Sequence, residues 1–291
     1  MTDPSATILS SFSSALAELV ARTKPAIVSV HSHRLRASGF VWKPGLIVTA
    51  DEALADEGEV SVKLADGTAR PASIAGRDHT TDIALLRFDA RDIAPAVLSS
   101  VVPDLGSLSV VVAAEHGVAT AALGAVSLVG GRWRSLRGGE IDARMELDVR
   151  LRPSHEGGLV LNASGEAIGM AVRGVRRVLV IPGATIGRIA GRLEIHGRIA
   201  RGYLGVGLQP VKLDDGVGAM AMSVDRSGPS AAAGIRQGDV IVGWNDEKLS
   251  GVRSLIRSLG PDSVGSVVDV AILRGGEPVR IKLTIGERTD T

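Results

Sequence analysis

No cysteine occurs in the 291 residues. Disulfides, thiol nucleophiles and cysteine-ligated metals are therefore excluded. The redox compartment stays open, because a cysteine-free chain is tolerated in oxidising and reducing spaces alike. Aromatic residues are almost as scarce, at 2% (three Phe, three Trp, one Tyr). A core must be built from Val, Ile, Leu and Ala, which suits packed strands. Neither sign of charge is in excess: 33 Lys and Arg face 32 Asp and Glu, a net of +1. That balance gives no general attraction to nucleic acid or to an anionic membrane, and neither is an expected partner. Long apolar runs are missing too. Ile8 to Val20 is amphipathic, interrupted by Ser and Glu, and too short and polar to span a bilayer, so it reads as an N-terminal helix. Met1 to Ser10 lacks the basic start and apolar stretch of a signal peptide. The expected location is cytoplasmic if Met1 is the native start, and periplasmic if a leader has been removed.

What is present points to a packed, mainly β chain of two domains. Hydrophobic residues reach 45% against 22% charged, enough for a sizeable core. From Ala26 to about Ile181, short β-type runs alternate with Gly, Asp and Pro turns: Ile27 to Val30, Leu46 to Thr49, Val60 to Leu64, Ile83 to Leu86, Leu108 to Val112, Leu159 to Leu161 and Val178 to Ile181. Such spacing argues a sandwich or barrel, and about 150 residues suffice for two six-stranded barrels. Thr185 to Ile195 carries Ile186, Ile189, Ala190 and Leu193 at helical spacing. The expected division is residues 1–25 as an N-terminal helical segment, 26–196 as the β domain, 197–201 as a linker and 202–288 as a smaller α+β domain. In the last, a helix at about Val252 to Leu259 precedes a hairpin of Val267 to Leu273 and Val279 to Ile285 around Gly275-Gly276.

Several stretches carry a resemblance. Ala37-Ser38-Gly39-Phe40-Val41, Asp78-His79-Thr80-Thr81-Asp82-Ile83-Ala84-Leu85-Leu86 and the run from Glu156 through Gly157-Gly158 to Ile168-Gly169 follow one another in order. Gly202-Tyr203-Leu204-Gly205-Val206-Gly207 and the run from Ser227 to Ile241 extend the pattern. Together they resemble the HtrA/Deg family over nearly the whole chain, about Leu16 to Gly286. The resemblance implies a trypsin-like double β-barrel, a serine endopeptidase fold, followed by a C-terminal PDZ domain. It also implies a homotrimer, or a mixed oligomer with an active relative, and a place in protein quality control.

Carried over residue by residue, Asp82 matches the family's catalytic aspartate. Glu52 stands in the histidine position and Glu156 in the serine position. Ser154 and His155 replace the Gly-Asn pair of the oxyanion loop. Acyl transfer needs a hydroxyl nucleophile, a base for its proton and donors aimed at the oxyanion. Glu156 is a poor acyl nucleophile whose charge repels an oxyanion, and Glu52 cannot relay a proton as imidazole does. No catalytic residue is expected. A local Ser154–His155 pair is a weak substitute, because triad partners come from distant segments.

If the fold is kept, Glu52, Asp82 and Glu156 converge with His155 close by. Like charges so near raise a pKa or invite a cation. The expectation is no metal and no cofactor, with the glutamates solvated or paired with Arg150 or Arg152. Arginine clusters at Arg132 to Arg137 and Arg173 to Arg177 read as solvated loop charges, or as an anion or partner patch. His31 and His33 alternate on a strand and face one side; His79, His116 and His196 are scattered.

In the PDZ-like unit, Tyr203, Leu204, Gly205 and Val206 match the carboxylate-binding loop, and Leu255, Ile256 and Leu259 are candidates for the apolar pocket wall. The expected function is that of a pseudoprotease that binds protein C-termini or exposed hydrophobic, unfolded segments as a scaffold, chaperone-like holder or regulator. The alternative is a hydrolase, a peptidase with carboxylate- or metal-based chemistry in the old cleft.

Overall fold

Short Val- and Ile-rich strands leave an unpaired backbone edge unless the sheet closes on itself. In the computed structural model, which describes residues 4–56, 58–89, 92–174, 177–214 and 216–287, they close twice. Met1, Arg176 of the second arginine cluster and the expected domain end at residue 288 lie outside the described residues. The chain divides between residues 199 and 200 into two compact units. Gly197 ends a helix, and Ile199 packs on the first unit's core.

The first unit holds two barrels. Barrel one comprises β1 (Ile27–Ser32), β2 (Leu35–Lys43), β3 (Leu46–Thr49), β4 (Val60–Lys63), β5 (Ala69–Asp78) and β6 (Ile83–Phe88), joined in the order β1-β2-β3-β6-β5-β4. Barrel two comprises β7 (Leu108–Glu115), β8 (Val118–Gly130), β9 (Arg144–Asp148), β10 (Leu159–Asn162), β11 (Ala167–Arg173) and β12 (Val178–Pro182), in the order β9-β12-β11-β10-β7-β8. Two registers place the cleft. Thr49 at the end of β3 pairs with Ala84 near the start of β6, so the residues after β3 emerge beside those before β6. Leu159 pairs with both Val112 and Met170, which fixes where β10 begins.

The core is aliphatic, as the scarcity of aromatics requires. Phe40, Ile47, Leu85 and Leu86 in barrel one and Ile168 and Met170 in barrel two are fully buried. Helix α2 (Gly183–His196) lays Ile186, Ile189, Ala190 and Leu193 against β5, β6 and β11. Helix α1 (Pro4–Thr23) is longer than its sequence signal; Leu19 is buried, while Ile8 and Leu9 are exposed. One expectation fails. His31 lies on β1, but His33 falls in the following turn with φ 51°, so the two do not alternate on one strand. His31 instead meets the His116 ring edge-on at 5.9 Å.

The second unit is a sheet of β13 (Val206–Leu213), β14 (Gly216–Val224), β15 (Val240–Trp244), β16 (Val267–Arg274) and β17 (Glu277–Thr284), joined in that order. Helices α3 (Pro229–Ala232) and α4 (Val252–Ser258) accompany it. Leu204, Ile241, Leu255, Val270, Ile272 and Leu283 form its core. The β16–β17 hairpin turns at Gly275-Gly276, both with positive φ, which glycine adopts at no steric cost.

Phe40 is wholly enclosed where β2 meets β1 and β3, so Phe40→Ala removes a ring that the surrounding strands cannot refill. The expected loss is about 3–5 kcal/mol in urea unfolding. A change below about 1 kcal/mol would mean that barrel one does not depend on this side chain.

Candidate functional site

Glu52 sits in the turn after β3, Asp82 immediately before β6, and Glu156 in the loop leading to β10. Their carboxylate oxygens lie within 4.8 Å of one another. Ser38 on β2 holds this meeting together. Its N–H donates to Glu156 O at 2.8 Å, its hydroxyl donates to Ser154 O at 2.6 Å, and Thr49 Oγ1 donates to its carbonyl at 2.7 Å. The Ser38 hydroxyl also accepts the Ala114 N–H at 2.8 Å. Gly157 passes so close that a Cβ there would lie 2.1 Å from Ser38 O, and its φ of +85° also demands glycine.

The loop before Glu156 forms a short 3-10 turn over Pro153–His155. Because of it, the Glu156 N–H donates to Pro153 O at 3.2 Å. Ser154 and His155 are buried in this turn. His155 does not join the carboxylates: its Nε2 bonds Thr120 Oγ1 at 3.1 Å, and its Nδ1 is buried without a partner among the described residues. Burial, then Arg152, push its pKa below the usual histidine value, while Glu115 pulls the other way. The expected four-residue cluster therefore reduces to Glu52, Asp82 and Glu156.

The counter-ions also differ from expectation. Arg152 lies 3.9 Å from Glu115, and among the described residues neither it nor Arg150 pairs with a cleft glutamate. Arg137 meets Glu52 at 2.9 Å, and Arg173 meets Glu156 at 3.8 Å while its backbone N–H donates to Glu156 Oε1 at 3.3 Å. Both arginines come from the two clusters that read as solvated loop charges. Arg137 sits on the loop that follows Trp133–Arg134; there it also donates to His79 O, and Ser135 Oγ donates to Thr80 O. Sequence reasoning missed a second feature: Asp51, almost wholly buried, accepts from Arg77 Nε and from His79 Nδ1, tying the turn after β3 to the end of β5.

Among the described residues, Asp82 has no such counter-ion. Its Oδ1 accepts the Glu52 N–H at 2.8 Å, yet burial and the charges of Glu52, Glu156 and Asp51 push its pKa up to about 7. Asp82 is therefore partly protonated near neutrality. Oxygen donors of this kind suit a hard cation, but two of the three already face guanidinium groups.

In the second unit, Tyr203 hydrogen-bonds Asp225 at 3.0 Å. Leu204 O and Gly205 O accept from Ser230 N–H and Asp225 N–H, while the Leu204 and Gly205 N–H groups make no hydrogen bond among the described residues. Val206 opens β13, the edge strand, beside which α4 packs. Leu255 belongs to the core and Leu259 is half-buried against it; Ile256, 57% exposed, is the one of the three with surface to offer a ligand. Gly205 has φ +70°, and a Cβ there would lie 2.9 Å from Gly228 Cα, so a larger residue at 205 disturbs the loop itself.

Residues 37–170 match the family model described as a trypsin-like peptidase domain, and residues 202–285 the one described as a PDZ domain. A "Probable periplasmic serine endoprotease DegP-like" of Bartonella henselae is 30% identical over 284 residues, covering 91% of this chain and 56% of the relative. A protein of the same name from Pseudomonas fluorescens is 29% identical over 268 residues, covering 86% and 56%. The chain thus spans about half the length of the curated relatives it matches. Two solved structures share the fold with a TM-score of 0.74. The "serine endoprotease from Yersinia pestis" is 24% identical and aligns over 94% of this chain and 98% of that one. "HtrA-type protease AlgW with decapeptide" is 22% identical over 94% and 99%.

The raised Asp82 pKa has a definite sign. Between the ordinary 3.8 and about 7 the folded chain holds a proton that the unfolded chain has released. This group's penalty is absent below about pH 4, grows as pH rises and is complete above pH 7. Asp82→Asn keeps the acceptor for Glu52 N–H and removes the charge. It is expected to stabilise the chain at pH 8 by roughly 1–3 kcal/mol, with the gain fading toward about pH 4. Urea unfolding of both proteins across that range checks this; a gain independent of pH would show that Asp82 titrates normally.

Proposed function

Because the chain belongs to the HtrA/Deg family of trypsin-like peptidases with PDZ domains, its cleft is measured against that family's chemistry, and we propose that it is a pseudoprotease whose working surface is the PDZ groove. The observation that carries this reading is the state of residue 156. A carboxylate held by Arg173 occupies the serine position, and the N–H of the same residue is turned back to Pro153 O. Nucleophile and oxyanion donor are lost at one point in the chain. At the histidine position, Glu52 is salt-bridged to Arg137.

The groove retains what a peptide needs. An extended C-terminal segment adds to the free edge of β13, its carboxylate meets the Leu204 and Gly205 N–H groups, and an apolar last side chain packs on Ile256. AlgW, described with a decapeptide, is a fold neighbour that supports a peptide ligand. The ligands proposed are C-termini or exposed apolar segments of other proteins, held as a scaffold or chaperone does, or delivered to an active relative in a homotrimer or mixed oligomer. The relatives' names favour the periplasm over the cytoplasm, and among the described residues no helix is long and apolar enough to cross a membrane.

The raised pKa of Asp82 beside two carboxylates is the feature favouring a hydrolase with its own acid–base pair. Turnover that disappears in Glu156→Ala would establish that reading instead.

Three measurements test the proposal. Fluorophosphonate probes are expected to leave the protein unlabelled, and Glu52→His with Glu156→Ser is expected not to restore strong casein cleavage. The 3-10 turn still withholds a donor whose loss costs about 10²–10³ in rate. Robust turnover by that double variant would refute this view of the loop. In calorimetry, a peptide with an apolar free C-terminus is expected to bind with a Kd on the order of micromolar, and its amidated twin far more weakly. Ile256→Ala should weaken binding by roughly 3–10-fold through lost apolar contact. Equal affinity for acid and amide would remove the terminal-carboxylate reading.

A further inference from the structure

The second unit carries a hollow that the groove does not use. It has a volume of about 580 Å³, within the roughly 300–1,000 Å³ range of ligand sites. Most of its lining lies on the sheet face opposite the core, while Leu249 and Val270 belong to the core itself. Ile241, Val270 and Ile272 point into the core, and the alternating Val242, Ala271 and Leu273 line the other face, half-buried. Leu213 and Val217, at the turn between β13 and β14, complete the apolar floor.

Two strand edges border this hollow. β14 pairs with β15 only through Ala219 and Met220, so its first residues, Gly216 to Gly218, leave one edge without a strand partner among the described residues. Beyond that point the short strand Glu247–Lys248 takes the place beside β15, pairing with Gly243 and Trp244, and its outer edge is likewise unpartnered among the described residues. Gly216, Val217, Glu247 and Lys248 all line the hollow. Such edges ask for backbone donors and acceptors, which an extended peptide supplies while its alternate side chains reach an apolar floor.

The rim selects the peptide's charge. Asp246 is paired with Arg280 at 2.9 Å. Asp214, Glu247 and Asp269 are exposed and form no ion pair among the described residues, against one further cation, Lys248. Three carboxylates against one ammonium favour cationic flanks and disfavour a terminal carboxylate.

We propose that this hollow is a second peptide site, which takes internal extended segments with two or three apolar residues between lysines or arginines. It complements the groove between β13 and α4 and does not depend on it.

The probe is a blocked peptide, acetyl-Lys-Val-Leu-Val-Lys-amide, with a glutamate-flanked twin, titrated into the full chain at low salt. Blocking both ends excludes the terminal-carboxylate groove. The lysine peptide is expected to bind at least about tenfold more tightly than the glutamate peptide. Glu247→Lys with Asp269→Lys should weaken it by about tenfold, whereas Ile256→Ala should leave it unchanged. Val217→Arg, at an exposed floor position, should give the same loss and stands in if the double variant does not fold. No binding of the lysine peptide, equal affinity for the two peptides, or a loss caused by Ile256→Ala and not by the rim variants would overturn the proposal.

Discussion

The cleft of this protein depends on how Ser38 is enclosed. Its amide, hydroxyl and carbonyl are all taken, by Glu156, Ser154, Ala114 and Thr49, in a seam without exposed surface. Each of these bonds is modest, but an unmet partner there would cost about 1–3 kcal/mol, since water cannot replace it. The seam therefore sets the register between the barrels and hence the spacing of three carboxylates. It also explains why glycine follows Glu156, for no side chain fits between that backbone and Ser38.

Placing three acids in so small a space is unfavourable unless their charge is reduced. Here two solutions coexist. Arg137 from a loop of barrel two and Arg173 from the end of β11 neutralise the glutamates, and a raised pKa leaves the aspartate partly protonated near neutrality. Arg137 and Arg173 are about half exposed, so their pairs contribute little to global stability. Their effect is positional: the loop after Trp133 is brought against residues 79–80, and the end of β11 is drawn to the residue-156 loop.

The barrels were legible because their strands announce themselves locally. Leu46 to Thr49 and Ile83 to Leu86 are short β-branched or leucine runs bounded by turns, and both are strands. The 13-residue β8 was less so, because its Ala- and Gly-rich segment gives weak alternation. At the site, positions 52, 82 and 156 followed from motif order, while their partners did not. A long arginine side chain reaches across the fold, and nothing in its neighbours says which acid it meets. His33 was misplaced because a positive-φ turn cuts the strand after Ser32. His155 was misplaced because a 3-10 turn redirects it toward Thr120. On α4, one residue of helical phase separates buried Leu255 from exposed Ile256, a distinction too fine for a seven-residue helix to encode in pattern alone.

The backbone contact between Gly205 and Gly228 divides the labour of evolving a new ligand. A Cβ at either position would press on the other's backbone, so this loop has little freedom to take a larger residue. Ile256, by contrast, projects from its helix into open space and changes at little cost to folding. Side-chain variation in this groove is therefore easier on the helix than in the loop.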